Sequence, residues 1–312
     1  MNSQDKKIDW SDKCFREMLV YQRKSAIHKH GRDRIAGFYG LRPGMTVLDV
    51  GCGLGFLGRN YWGFFGEGGH YIGVDVSPDL LEQARKGSSE WADGGEASFT
   101  AGDVYSLPFA DNTIDAVMCQ TLLMHLKDPE QALREMIRVV KPGGVVICQE
   151  PDNLTPQLKK RHWSLPDDSI EDLLLRTKVA VLCNKGRIKL GLGDDSIGPR
   201  VYLMMRQLGL TTVDVTTTEY VPHLYPPYTD KQEKVQLEMI QKQVLDDERS
   251  ETLRERWRRD FMAGGGTPEE WARYCTYGDK LIAQMREQIN DECYFYCGAY
   301  PQYYTKGIKP RN

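Results

Sequence analysis

Residues 47–55, Val47-Leu48-Asp49-Val50-Gly51-Cys52-Gly53-Leu54-Gly55, pass from an apolar, β-branched run straight into three glycines at alternate positions. A short run of this kind is what a strand buried on both faces looks like. Glycines after it let the backbone turn tightly and approach a ligand with no Cβ in the way. The following "GFLGRNYWGFF" (55–65) reads as the start of a helix whose first amides face the same ligand. Three ligand classes use such a turn. A dinucleotide fold wants G-x-G-x-x-G, but from Gly51 and Gly53 the third position is Phe56. A phosphate-cradling loop wants G-x-x-x-x-G-K-[ST], and Gly53 to Gly58 is followed by Arg59-Asn60. What remains is D-x-G-x-G-x-G headed by Asp49, whose charge repels a pyrophosphate and suits a ligand with a positive end.

At 312 residues the chain can bury a full core, and a formal net charge of -3 gives no global basic signal for nucleic acid or an anionic membrane. The basic "RERWRR" (254–259) follows the acidic "DDERSE" and reads as a solvated helix face. No apolar run approaches the ~20 residues of a membrane helix, and "MNSQDKKIDW" lacks the apolar core of a secretory signal, so a soluble, cytoplasmic protein is expected. Cys52, Cys119 and Cys148 fall in or beside predicted buried strands, as reduced thiols do. Cys293 and Cys297 have neither redox spacing nor histidine partners, so no metal site is expected.

From residue 46 to about 150 strands alternate with helices, the pattern of βαβ units and a parallel sheet. The predicted strands are 46–50, 70–76, 97–103, 114–120 and 143–150. A helix over 77–87 has Ser77 as N-cap, Pro78 at its first position and Gly87 past its end. A second helix over 128–140 stops at Lys141-Pro142-Gly143-Gly144. Further helices are read over 167–183 and 198–209 and a strand over 211–221. A charged helical stretch over 229–289 is broken at Gly264-Gly265-Gly266, and an aromatic segment spans 293–307. In open parallel sheets ligands sit beyond the carboxyl ends of the strands, which gives priority to Asp75, able there to accept both hydroxyls of a ribose. NAD proteins share that feature.

"VLDVGCGLG" resembles motif I of the class I S-adenosylmethionine-dependent methyltransferases. "GDVYSLPFADNTIDAVMC" followed by "HLKDPEQALREMIRVVKPGGVVI" continues that family's pattern in order and spacing, closest to the ubiquinone and menaquinone biosynthesis group. The resemblance implies an α/β, Rossmann-like, seven-stranded and mostly parallel sheet flanked by helices, with strands six and seven near 211–218 and 293–307. It implies S-adenosylmethionine as methyl donor, S-adenosylhomocysteine as product and a small-molecule acceptor. Carried over by position, the cofactor contacts are Asp49, Gly51, Cys52, Gly53, Gly55, Asp75, Val76, Asp103 for the adenine amine, Val104 through its amide, Gln120 and His125. His125 is also the best placed candidate for a general base. Similar enzymes fold an N-terminal segment over the cofactor, and Trp10, Phe15 and above all Tyr21 are expected there, the other reading being rings packed into a core.

At the end of strand four, Cys119-Gln120-Thr121-Leu122 matches neither the Asn/Asp-Pro-Pro-Tyr motif of nucleobase-amine enzymes nor a Pro-Cys nucleophile, which argues against a nucleic-acid partner. The expected division is 1–40, an N-terminal helical cap segment; 41–218, the α/β core; 219–290, a helical insert; and 291–312, the closing strand. The insert departs from the family pattern. With the N-terminal segment it is expected to cap the acceptor through rings such as His223, Tyr225 and Tyr228. The alternatives for it are packing outside the sheet or a homodimer contact. Two rivals stand beside the transferase reading: an NAD-dependent oxidoreductase, and a protein that binds S-adenosylmethionine without transferring its methyl.

Overall fold

A computed structural model describes residues 29–158, 162–217, 221–243, 247–298 and 301–311. The chain begins there with α1 (Lys29–Tyr39) and continues β1 (Thr46–Val50), α2 (Phe56–Phe65), β2 (His70–Asp75), α3 (Pro78–Ser88), β3 (Glu96–Ala101) and β4 (Ile114–Gln120). A single 3-10 turn (Leu123–His125) leads to α4 (Pro129–Val139) and the long β5 (Val140–Pro151). Then come α5 (Ile170–Lys189), α6 (Gly198–Gln207), β6 (Thr211–Thr217), β7 (His223–Leu224), α7 (Lys231–Gln243), α8 (Asp247–Ala263), α9 (Pro268–Asn290), β8 (Tyr296–Cys297) and β9 (Gln302–Ile308).

Seven strands form one sheet in the order β3-β2-β1-β4-β5-β9-β6. The first five run parallel, and β9 lies antiparallel between β5 and β6. The expected seven-stranded, mostly parallel α/β sheet is therefore present. Its parallel register brings Val50, Val74 and Cys119 level, so Gly51, Asp75, Gln120 and Glu150 emerge at one carboxyl edge. Alternation along β1 sends Leu48 and Val50 into a core with Leu133, Met136 and Met205. Val47 faces the opposite core with Trp62, Phe65 and Tyr71. Both faces are covered, as the unbroken apolar strands require.

Local signals place most helix ends. Ser77 caps α3 by accepting from the Leu80 amide at 3.4 Å, and Asp128 caps α4 by accepting from Gln131 at 3.0 Å. Gly87, expected past the end of α3, lies inside it, because the buried Ser88 adds a residue and its hydroxyl donates to Arg85 O at 2.8 Å. The Lys141-to-Gly144 stop ends α4, yet it is absorbed as an irregularity within β5: pairing passes from Ile114↔Val140 to Ala116↔Val145, with Gly143 at φ 80°. The closing segment also differs from expectation. Only Gln302–Ile308 enters the sheet, while Tyr296–Cys297 pairs with His223–Leu224 in a separate ribbon.

A second packed body is built from α5, α7, α8, α9 and that ribbon. One of its cores joins Leu165, Leu224, Tyr228, Ile240, Met285 and Tyr294, and the other joins Leu175 and Val179 of α5 to Phe261 and Trp271. Thr267 and Glu270 form a reciprocal capping box that starts α9 after the glycine break. The α5 and α8 backbones touch. A Cβ on Gly186 would lie 1.7 Å from Asp260 O, and one on Gly264 would lie 2.0 Å from Leu182 O. Among the described residues no helix is long and apolar enough to cross a membrane.

Because that contact is backbone against backbone, Gly186→Ala must separate the two helices. The expected loss is about 1–3 kcal/mol of stability, read as a lowered urea midpoint. A midpoint equal to the parent's would show that the close approach is not needed.

Candidate functional site

The glycine loop is a set of left-handed turns, with φ of 69° at Gly51, 52° at Gly53 and 76° at Gly55. Only glycine adopts these without strain. Gly51 and Cys52 both donate to Val74 O, at 2.7 and 2.9 Å, which ties the loop to the end of β2. A Cβ on Gly51 would fall 2.8 Å from Leu122, whereas nothing lies within 4 Å of the Cβ position of Gly53. The loop is thus packed on one side and open on the other, which is the shape a ligand's approach requires.

Asp75 holds this loop in place. Its Oδ2 accepts from Gly53 N at 2.9 Å and its Oδ1 from Ser77 N at 2.9 Å. Each carboxylate oxygen retains a second acceptor position, so the group is oriented and still able to receive two hydroxyls. Beside it Val76 is 66% exposed, apolar surface next to a carboxylate. Across β3, Ala101 pairs with Asp75, and Asp103 follows in a tight turn where its Oδ1 accepts from Tyr105 N at 2.9 Å. Val104 is buried directly after it. Gln120, half-buried, ends β4 opposite Gln149.

Two expected contacts lie beneath the loop instead. Asp49, expected to meet a ligand's positive end, is 1% exposed and accepts the Tyr71 hydroxyl at 2.6 Å. Strand alternation turns it away from the edge, toward the face Val47 shares with Tyr71. Cys52 is buried too, and its thiol is pushed far up, first by burial and then by the charges of Asp49 and Asp75. Its contribution to the edge comes through its backbone.

Sequence reasoning missed Glu150, although a carboxylate ending a buried strand was the criterion that selected Asp75. Its Oε1 accepts from Leu122 N and Leu123 N, each at 2.9 Å, and its Oε2 from Met124 N at 3.3 Å. These amides belong to the chain leaving β4, where Thr121 sits at φ 49°. Glu150 is completely buried, and burial pushes its carboxyl up to about 7 against the opposing pull of the amides.

His125 ends the same turn. Burial, then the positive charges of Arg187 on α5 and Arg256 on α8, hold its imidazole down at about 3. A ring held down in this way binds a proton weakly near neutral pH, which weighs against the expected role of general base. The chain that follows α5 reaches this edge of the sheet, since a Cβ on Gly193 would strike Met124 O at 2.1 Å.

Of the rings expected to line an acceptor, Tyr228 is buried and donates to Tyr294 O at 2.8 Å, which makes it a core residue of the second body. Tyr225 and His223 are exposed. Trp10, Phe15 and Tyr21 lie outside the described residues. Among the described residues no group of His, Cys, Asp and Glu is arranged to hold a metal, and the buried Cys52, Cys119 and Cys148 are free thiols.

Residues 41–184 match a family described as a methyltransferase domain. An uncharacterised methyltransferase of Schizosaccharomyces pombe is 37% identical over 140 residues, which cover 43% of this chain and 48% of that protein. Demethylmenaquinone methyltransferase of Desulfitobacterium hafniense is 36% identical over 123 residues, covering 39% and 49% respectively. The chain thus spans about half the length of the curated relatives it matches. Among solved structures, the YcgJ protein of Bacillus subtilis aligns with a TM-score of 0.52 over 91% of this chain and 100% of that one; at 18% identity this is a likeness of fold.

Glu150 has a measurable signature. A carboxyl at about 7 in the fold and near 4.5 when unfolded is protonated more readily in the fold. Its cost is therefore absent below the unfolded value, grows as pH rises from about 4.5 to 7, and levels off at roughly 3 kcal/mol above that. Glu150→Gln is expected to flatten the fall in stability across that interval, apart from a remainder from Asp195, which burial raises to about 6. Parallel curves for variant and parent in urea melts from pH 5 to 8 would refute it.

Proposed function

We propose, from the match of residues 41–184 to a methyltransferase-domain family and the likeness to methyltransferase relatives, that this chain transfers a methyl group from S-adenosylmethionine to a small-molecule acceptor. The observation that carries the reading is the convergence at one sheet edge of an open glycine loop, an oriented Asp75 and an exposed Val76. S-adenosylmethionine, when bound, supplies an electrophilic methyl group on a sulfonium whose departure leaves a neutral thioether.

The residues have separate tasks. Asp75 accepts the ribose hydroxyls on the positions its two amide partners leave open. Val76 gives the adenine an apolar surface. Asp103, fixed by the Tyr105 amide, accepts the adenine amine, and the backbone amide of Val104 donates to the ring. An acceptor paired with a donor reads the two-sided edge of adenine. The open side of Gly53 admits the ligand against the backbone, and Gln120 borders the methionine end. Asp49 acts from below, through Tyr71 and its own charge.

For the transfer itself the chain supplies position. An in-line displacement with a neutral leaving group gains ~7–11 kcal/mol from holding the reactants at attack distance, without any base. The turn after β4, pinned by Glu150, walls the acceptor side with the neutral His125. The second body covers that side and keeps water from the reacting centre, and the close approach of Gly193, after α5, to Met124 O supports this placement.

Calorimetric titration with S-adenosylhomocysteine is expected to show saturable binding that NAD does not reproduce. Asp103→Asn should weaken it by about 1–3 kcal/mol, because an amide loses the charge and adds a competing donor. Equal binding of NAD, or an Asp103→Asn variant with the parent's affinity, would overturn the reading. Transfer of labelled methyl to a panel of small acceptors separates a transferase from a protein that only binds the donor.

A further inference from the structure

The first amides of a helical turn precede its own hydrogen bonds and need partners from elsewhere. In the 3-10 turn after β4 those bonds begin with His125 N donating to Leu122 O at 3.0 Å. The amides before it, of Leu122, Leu123 and Met124, all go to Glu150, the first two to Oε1 and the third to Oε2. Three donors thus converge on one side chain from another strand. An ionised carboxylate meets them with lone pairs on both oxygens. A protonated carboxyl or a glutamine amide makes one end a donor, which then opposes one of the amides. The shape of the turn therefore depends on the charge of Glu150.

When the two part, it is the turn that yields. Glu150 pairs with Tyr303 of β9, and α6 closes on its backbone, since a Cβ on Gly198 would lie 2.6 Å from Glu150 O. The turn is short and leaves β4 through Thr121 at φ 49°, a conformation that a β-branched residue keeps only under constraint from its surroundings. Its movement reaches the glycine loop directly. Leu122 Cδ1 stands 2.8 Å from the Cβ position of Gly51, so this side chain rests on the residue that opens the loop. Other titratable groups around the carboxyl are the Cys119 thiol of β4, donating to Oε1 at 3.8 Å, Cys148 of β5, Tyr303 of β9 and His125 at the end of the turn. On α6, Arg200 is turned away to Asp194 at 2.9 Å. The hydrogen bond with Cys148 and then burial hold the Cys119 thiol well up, which keeps it a donor to Glu150 at neutral pH.

We propose that Glu150 is a positioning residue for the methyl donor: its ionised carboxylate holds the turn after β4 against the glycine loop, and protonation releases the turn and weakens donor binding. The identity of the ligand rests on the methyltransferase reading. With the carboxyl at about 7, the change falls in the neutral range. A ligand that prefers the ionised form lowers the pKa of Glu150 and expels a proton as it binds. Affinity then rises with pH through that range and levels off above it.

The test is calorimetry of S-adenosylhomocysteine with the full chain from pH 5.5 to 8, each pH in two buffers of unlike ionisation enthalpy. Binding is expected to tighten by about threefold or more across the interval, with a fraction of a proton released near pH 7. Glu150→Gln should bind about threefold or more weakly than the parent at pH 8 and lose most of the pH dependence and proton release. What remains belongs to Asp195, which burial raises to about 6. Leu122→Ala removes the contact with Gly51 but leaves the backbone amide on Glu150. Its S-adenosylhomocysteine affinity should lose the pH dependence while the pH dependence of stability stays as in the parent, and this variant and the parent's own profile decide the matter if Glu150→Gln does not fold. Saturable parent binding that is flat with pH and releases no proton, or either variant keeping the parent's binding profile, would overturn the proposal alone. Absence of S-adenosylhomocysteine binding at every pH would overturn the methyltransferase reading.

Discussion

One buried carboxylate organises the acceptor side of the edge. Glu150, next to last in β5, accepts three successive amides of the chain leaving β4, fixing a turn that starts from a strained Thr121. Leu122 of that turn packs against Gly51, so the glycine loop and the turn constrain each other. Asp75 does the corresponding work from β2 by holding Gly53. Two loops are thereby fixed by acids at the ends of the parallel strands beside them. The arrangement follows from register, since parallel pairing brings those strand ends level.

The sheet carries the donor side, and the helices added after β5 carry the other. Gly186 and Gly264 let α5 and α8 meet without intervening side chains. Burial and the positive charges of Arg187 and Arg256 lower the pKa of His125.

The first five strands were legible because each is a short apolar run bounded by local turn signals, and Ser77 and Asp128 announced their helices. Local chemistry also located the glycine loop and Asp75. The burial of Asp49 against Tyr71 was not legible, because a spacing argument fixed the loop's head without asking which face of β1 alternation gives that residue. Glu150 was passed over because its partners are backbone amides, which leave no mark in the sequence. The closing strand was placed too early since its aromatic run fits either pairing, and only the long-range match with β5 selects Gln302–Ile308.

Amide hydrogen exchange with and without S-adenosylhomocysteine tests the central claim most directly, because the account names the backbone that the ligand must cover. Protection is expected to rise in residues 51–55, 75–77 and 103–105 and in the turn at 122–125, while α9 stays unchanged. Unaltered exchange at the glycine loop and at 103–105, or protection confined to the helices after β5, would contradict it.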